Sequence, residues 1–355
     1  MTAGRTRRAL RLAPVLIGPW SAFVFAAAHL SGIGPSDGSL ADGLWRSAVA
    51  GVLIGSAAAW LETGALARWG RRLPLWAALA ARTLSYAVVV ALAVTAVIAL
   101  VSWLEGDLGL AAVVRTAEFR SRVVDNRMFW VFFGFLVVGS FVINFGLQLR
   151  RVLGPDTLKA LFLGTYRRPR REERAFVFLD LADSTAWAER LGPLRFTDFK
   201  NDFFADVAEP VLATGGRIVQ YVGDEVMVSW PMKRALRDAA PLRFFFLVED
   251  RVAARAERYR ARYGDVPRFK AGAHGGWVVT AEVGDLKRDI VHSGDVVNTA
   301  ARIEGECRPR GCTLLVSGEL FGQMPALAEA TAADLGPAAL RGKSEPVGLV
   351  SVTRP

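Results

Sequence analysis

Four long stretches of this chain contain no Asp, Glu, Lys or Arg: Leu12–Ser36, Ser47–Leu61, Thr83–Leu104 and Met128–Leu149. Nothing else in the sequence limits the fold as much. A helix crossing the hydrocarbon core of a bilayer needs about 20 predominantly apolar residues. The first, third and fourth stretches meet that length outright, and the second meets it if it runs on to Ala67 with Glu62 inside it. The expectation is an α-helical membrane domain over residues 1–149, with four transmembrane helices at about 12–32, 47–67, 83–104 and 128–149. The third and fourth runs are too long for core helices of a soluble domain. No small-residue cleavage site follows the first, so an anchor rather than a cleaved leader is expected.

Basic residues set the orientation. Arg5, Arg7, Arg8 and Arg11 precede the first span, Arg68, Arg71 and Arg72 lie between the second and third, and Arg150 and Arg151 follow the fourth. The loop from Ser31 to Gly43 has no Lys or Arg. The positive-inside rule therefore places both termini in the cytoplasm, on the inner membrane of the cell, with the lipid bilayer as a partner. A net charge of +10 is then explained by arginines facing an anionic leaflet, and no nucleic-acid partner is needed. Glu62 and Arg82 are ionisable groups inside expected spans, which either pair on adjacent helices or reach the interface separately. A lone His29 near the outer end of the first span is expected to be interfacial. Cys307 and Cys312 fall in the cytoplasmic half and are expected to stay reduced and incidental.

Residues 150–174 are expected as a linker: Gly154-Pro155-Asp156 starts the helix "TLKALFLGTY", and the basic run "RRPRREER" closes it. From 175 to 355 the composition is that of a soluble α/β domain. "AFVFLDL" is a buried strand, followed by helices at "STAWAERLG" and "RFTDFKNDFFADVAEPVL". "RIVQYV" and "EVMVSW" form a hairpin, and residues 235–264 read as one long helix. "RFKAGAHGG" and "WVVTAEVG" read as two strands, "GDVVNTAARIEGEC" as a short helix, and "TLLVSG" and "PVGLVSV" as closing strands. This mixed order excludes a purely parallel sheet and suits an α+β ferredoxin-like sandwich.

Several residues could carry chemistry. Asp180 ends an otherwise apolar strand, where a charge is costly unless paired or bound to a cation. It is either an N-cap acid or half of a metal site. Asp224 is either a turn residue or the other half. Should the hairpin lie beside the first strand, both carboxylates reach one end of the sheet, and two converging carboxylates suit Mg²⁺ or Mn²⁺. The turn after Asp180 leads into a helix start that offers free N–H groups and the Ser184 and Thr185 hydroxyls, a cradle for phosphate. Asn298 and Arg302, at i and i+4, share one helix face and can both donate to anionic oxygens, unless that face is merely solvated. Arg341 and Lys343 flank a glycine and could meet a terminal phosphate.

The stretches "FLDLADST", "GGRIVQYVGDEVM", "AGAHGGWVV" and "SGDVVNTAARIE" resemble the four signature blocks of class III nucleotidyl cyclases, in that family's order and spacing. The resemblance covers about Ala175 to Val352. The membrane half is similar to the anchors of membrane-bound bacterial cyclases only in layout. What the resemblance implies is a two-metal enzyme. Asp180, Asp224 and the backbone carbonyl of Leu181 would bind two divalent cations, Mg²⁺ or Mn²⁺. Asn298 and Arg302 would match the family's transition-state pair, contributed by the partner subunit of a homodimer. The substrate would be a purine nucleoside triphosphate, with ATP favoured, and the product a cyclic 3′,5′ monophosphate plus pyrophosphate.

Departures from the family pattern fall at specific residues. Many members carry Gly-Phe where this chain has Asp183-Ser184, and an acid there repels phosphate unless it turns outward to cap the helix. The usual adenine-selecting pair is a Lys four residues before the second metal aspartate and an Asp or Thr before the Asn/Arg helix. Here Gln220 and Val291 hold those places, with Asp289 two residues earlier. Gln both donates and accepts, so it suits either purine. The reading is a membrane-bound adenylate cyclase, with two alternatives: a guanylate cyclase, or a membrane receptor whose cyclase-like domain binds nucleotide without turnover. The double-glycine signature of diguanylate cyclases is missing, since Val222 stands in place of its first glycine.

Overall fold

The computed structural model describes residue 74, residues 76–85, 87–89, 91–92, 115–116, 120–121 and 125, and residues 127–286 and 288–354. The chain divides into two compact units, Met1–Leu158 and Lys159–Pro355.

In the first unit the described residues within 76–92 are helical, and α1 (Arg127–Leu153) is a helix of 27 residues. At 1.5 Å per residue it is about 40 Å long. Polar side chains bond to their own helix: the Ser85 hydroxyl donates to the Ala81 carbonyl at 2.7 Å, and the Asn144 amide to the Ser140 carbonyl at 2.9 Å. Arg82 is buried, whereas Trp76, Leu84, Leu92, Phe135 and Val138 face outward. Among the described residues, which leave out part of the α1 side chains, no helix is long and apolar enough to cross a membrane. The expected spans at 12–32 and 47–67, with His29 and Glu62, lie outside the described residues, as does most of 83–104.

Gly154 precedes α2 (Pro155–Phe162), which begins at the break expected there. The sheet of the second unit starts with β1 (Arg170–Leu181), then α3 (Ser184–Thr214), β2 (Arg217–Val222) and β3 (Glu225–Pro231). Three helices follow, α4 (Met232–Arg237), α5 (Ala240–Ala253) and α6 (Ala256–Tyr263). Next come β4 (Phe269–Val283), β5 (Asp289–Ser293), α7 (Asp295–Gly305), β6 (Leu314–Ser317), α8 (Gly318–Gln323), β7 (Thr331–Ala338) and β8 (Val347–Thr353). Strand order is β2-β3-β1-β4-β6-β8-β7, with β5 on the far half of β4; only the β4–β6 pair is parallel. The first four strands, joined as βαββαβ, make the ferredoxin-like unit that the sequence predicts.

Period-two alternation sorts β1 between two layers. Ala175, Val177, Leu179 and Leu181 enter the main core with Phe199 and Phe203 of α3 and Phe244 and Phe245 of α5. Phe176 and Phe178 enter a second core with Met227, Val278, Val296 and Ala300. Helix α7 thus covers the face that a plain two-layer sandwich leaves open.

Several boundaries differ from expectation for identifiable reasons. The single long helix over 235–264 is three helices. Ala239 sits in the left-handed region at φ 44°, and the breaks let α5 bury its phenylalanines while α6 turns Tyr259 and Tyr263 inward. There Asp206 of α3, itself buried, takes Arg255 and the Tyr259 hydroxyl (2.8 Å), tying α3 to α6. The two expected strands at 268–284 are one, β4, because β1 pairs along almost its whole length. The two expected helices of α3 are merged across a kink at Gly192. Strand β1 reaches back through the basic run to Arg170, where it pairs with Thr280. Strands β5 and β7 and helix α8 are additions.

Candidate active site

Asp180 shares the α7 side of β1 with Phe176 and Phe178, but it lies beyond the apolar cluster at the strand end. It stands opposite Glu225 of β3 and Lys270 of β4. The Lys270 ammonium lies 3.0 Å from Asp180 Oδ2 and also pairs with Glu304 of α7. Asp224 occupies the turn between β2 and β3. Gly223 before it is left-handed at φ 62°, and the Lys200 ammonium donates to the Gly223 carbonyl at 3.2 Å. The Asp224 carboxylate is close enough for its charge to raise the Asp180 carboxyl. The sheet therefore brings the two aspartates together at one end.

Four acids and one cation make this an electrostatically loaded corner. Burial raises Asp180, and the nearby Asp224 charge adds to that, against the opposing pull of Lys270. Burial together with Glu304, Asp180 and Asp224 pushes Glu225 up to about 7. Glu304 is likewise raised by burial, with Lys270 opposing. Burial pulls Lys270 down, but its bonds to Glu304 and Asp180 outweigh that and leave it raised. Lys270, Glu304 and Glu225 are absent from the sequence-level site. The one available signal was a lysine in an otherwise apolar strand, since such a charge requires a carboxylate nearby. Among the described residues no three His, Cys, Asp or Glu side chains are grouped to hold a metal ion. Asp180 and Asp224 are two of the four carboxylates at this end, and Leu181 is the last residue of β1, next to Asp180. Two carboxylates that repel one another, with hard oxygen atoms, fit a divalent cation.

Helix α7 carries a second group. It lies so close to β4 that a Cβ on Gly272 would run into the backbone of Glu304 and Ala300. Glu304 turns toward Lys270, while Arg302, two residues earlier, turns toward Gly342 in the β7–β8 loop, 3.3 Å from where a Cβ there would stand. At 100° per residue those side chains leave α7 about 200° apart. Asn298, at i−4, shares the Arg302 side and is exposed. Arg302 Nη1 is buried without a hydrogen-bond partner among the described residues. Lys343 pairs with Asp295 at 2.5 Å, which holds that carboxyl below its usual range, and Arg341 is exposed in the same loop. Within one chain, then, α7 separates Asn298, Arg302, Arg341 and Lys343 from the side of Glu304 and the carboxylate corner.

Ser184 and Thr185 open α3, four and five residues past Asp180. Asp183 does turn outward, but not to cap the helix. It adopts φ 56°, makes no side-chain cap bond, and takes Arg268 Nη2 at 2.8 Å. A left-handed residue there suits glycine best and Asp better than most others. Gln220 is exposed on edge strand β2, beside a bulge and opposite Met227. Val291 and Asp289 lie two apart on β5, opposite Ala281 and Val283. His292, next after Val291, is buried against Phe176, with ring centroids 5.4 Å apart, so alternation turns Val291 and Asp289 to the other face. Strands β3, β1 and β4 separate β2 from β5, so one chain does not bring Gln220 together with Val291 and Asp289, the positions expected to select the base.

No family model matches the chain. It is 42% identical over 211 residues to adenylate cyclase 2 of Rhizobium meliloti, covering 59% of this chain and 58% of that protein. It is 29% identical over 187 residues to adenylate cyclase 1 of the same organism, covering 51% of this chain and 28% of that one. The chain thus spans less than two thirds of each relative. A solved structure of a bacterial light-regulated adenylyl cyclase superposes with a TM-score of 0.50 at 20% identity, covering 60% of this chain and 63% of that one.

Proposed function

We propose that the chain is a class III nucleotidyl cyclase, as its likeness to two adenylate cyclases supports, and that it is a membrane-bound adenylate cyclase working as a homodimer. It converts ATP to 3′,5′-cyclic AMP and pyrophosphate. The observation that carries the reading is the division made by α7: Asp180 and Asp224 meet at one sheet end, while Asn298 and Arg302 leave the helix on the side away from Glu304. A complete site then needs Asp180 and Asp224 from one chain and Asn298 and Arg302 from a partner.

Asp180, Asp224 and the Leu181 carbonyl would hold two divalent cations, Mg²⁺ or Mn²⁺, with Lys270 yielding one Asp180 oxygen. When bound, such cations lower the pKa of the ribose 3′-hydroxyl and hold the phosphates. The α3 start, with Ser184 and Thr185, receives phosphate oxygens. Arg341 and Lys343 receive the terminal phosphate. The ribose 3′ oxygen attacks the α-phosphorus, its proton leaves to solvent, and the bond to the β-phosphate breaks to release pyrophosphate. Asn298 and Arg302 offset the charge that builds on the α-phosphoryl oxygens. The orphaned Arg302 Nη1 supports an anionic partner for that side chain.

The membrane half extends the same reading. Residues 1–149 anchor the chain through four helices, with the N-terminus and the cyclase domain on the cytoplasmic side of the inner membrane. Support comes from the uncharged stretches, from the arginines that flank them, and from the outward-facing Trp76, Leu84, Phe135 and Val138. Residues 150–174 lead from this anchor into the cyclase domain, whose first strand already begins at Arg170. A second reading, guanylate cyclase, is favoured by one observation: the neutral, exposed Gln220 on β2 stands where the family's adenine-reading lysine belongs.

Full-length protein with Mn²⁺ is expected to release pyrophosphate from ATP faster than from GTP, and Asp180→Ala or Asp224→Ala to abolish it. Mixing inactive Asn298→Ala with inactive Asp180→Ala is expected to restore activity, because one site of the mixed dimer keeps all four residues. Full activity in the single variants, or no rescue in the mixture, refutes the shared site.

A further inference from the structure

The segment between α2 and β1 docks on the sheet at two points. Gly164, left-handed at φ 62°, ends the helix and turns the chain back. The Tyr166 carbonyl then accepts from the Glu282 amide of β4 at 2.9 Å, and its hydroxyl donates to Glu172 Oε1 at 2.9 Å. Tyr166 is buried.

Glu172, itself partly exposed, is the hub of a polar network whose other members are buried. Its other oxygen accepts from Arg174 at 3.4 Å and from the Thr280 hydroxyl at 3.3 Å. Thr280 in turn contacts His292 Nδ1 at 2.8 Å, and burial holds that imidazole neutral, near 3. Arg174 reaches the other way, donating to Ser229 of β3 at 2.8 Å, and Ser229 pairs with Arg217 of β2. Arg174, Ser229, Thr280 and His292 are all buried. A buried network of this kind is rigid when satisfied and costly when opened.

The placement selects what the network can control. His292 lies next to Val291 on β5, and Glu282 pairs with Ile290 of the same strand. Asp180 lies eight residues along β1 from Glu172, about 26 Å at strand rise. We infer that Tyr166 and Glu172 are positioning residues, a polar lock through which the segment leading into β1 sets the position of β5 and so of Val291 and Asp289. The lock acts on purine discrimination and leaves the Asp180–Asp224 corner alone. This rests on the cyclase reading for its enzymatic readout.

The test compares full-length wild type, Tyr166→Phe and Thr280→Val with Mn²⁺, measuring kcat/KM for ATP and for GTP. Removing a hydrogen bond to a charged group that is only partly relayed to β5 is expected to move the ATP-to-GTP ratio about threefold or more in both variants. The Mn²⁺ concentration giving half activity stays as in wild type. A packing defect without positioning lowers both nucleotides together, so an unmoved ratio in both variants overturns the inference. A shifted Mn²⁺ requirement overturns it as well. Should wild type turn over neither nucleotide, the cyclase reading fails and hydrogen exchange decides the lock. The amides of residues 289–293 are then expected to exchange faster in Tyr166→Phe than in wild type, while those of residues 177–181 are unchanged. Equal exchange at 289–293 overturns it.

Discussion

Glu225→Gln is expected to stabilise the protein at alkaline pH and to do nothing at acid pH. Glu225 opens β3 opposite Asp180, and its carboxyl rises from 4.5 to about 7 because burial and the charges of Glu304, Asp180 and Asp224 disfavour the anion more than Lys270 favours it. A raised carboxyl binds its proton more tightly in the folded state than in the unfolded one. Its contribution to stability is therefore fully present below pH 4.5 and lost as the pH rises through about 7. The full difference corresponds to about 3 kcal/mol, and partial exposure to solvent reduces that to about 1–2 kcal/mol. Glutamine keeps the shape and removes the titration. In a domain of this size about 1 kcal/mol moves Tm by about 2–4 °C, so the variant is expected to melt about 2–8 °C higher at pH 8 and level with wild type at pH 4.5. Both cysteines of the chain lie in the cyclase domain, and Cys307 is buried. Heating full-length protein in chelator, on a Cys312→Ser background, and scoring the exposure of Cys307 to a thiol reagent reads this domain alone. A gap between the two proteins that stays constant with pH, or a variant less stable at pH 8, refutes the electrostatic account.

Two further perturbations probe the frame around the site. Gly272→Ala forces a methyl into the α7 backbone at Ala300 and Glu304, so it is expected to cost about 1–3 kcal/mol and to lower activity by displacing Asn298 and Arg302; a variant with wild-type Tm and turnover refutes the close contact. Asp183→Gly relieves a left-handed residue and gives up an exposed ion pair with Arg268 worth about 0–1 kcal/mol, so stability is expected within about 0.5 kcal/mol of wild type, with activity retained. A large loss of activity there would mean that Asp183 faces the nucleotide.

What could be read from the sequence followed the range of the interactions that decide it. Asp180 was legible because one acid closing a run of buried residues stands out locally, and Asp224 because a Gly-Asp turn between two strands is a local pattern. Lys270 and Glu304 are 34 residues apart, and each is ordinary in its own stretch. Their meeting depends on the β1–β4 register and on how closely α7 crosses Gly272. Strand β7 reads "TAADLGPA", poor in β-branched residues and broken by Gly-Pro; pairing with β8 makes it a strand, around an irregularity between Asp334 and Pro337. The break at Ala239 did carry a local signal, Asp238 before it and Pro241 in the first turn of α5, but the alanines and the amphipathic run on either side masked it.

The most consequential relation in the site is a spacing of two. Asn298 and Arg302, four apart, leave α7 on one side; Glu304, two beyond Arg302, leaves on the other and is bound through Lys270 to Asp180. Rotating α7 to carry Arg302 toward the carboxylate corner would draw Glu304 off Lys270, removing the carboxylate that shares Lys270 with Asp180. It would also swing the helix backbone against β4, where Gly272 leaves no room. A local rotation of α7 within one chain therefore does not bring Arg302 to the carboxylate corner. In the homodimer we propose, a second copy would supply Asn298 and Arg302 without moving α7 at all, and control of activity would fall to whatever sets the relation of two chains.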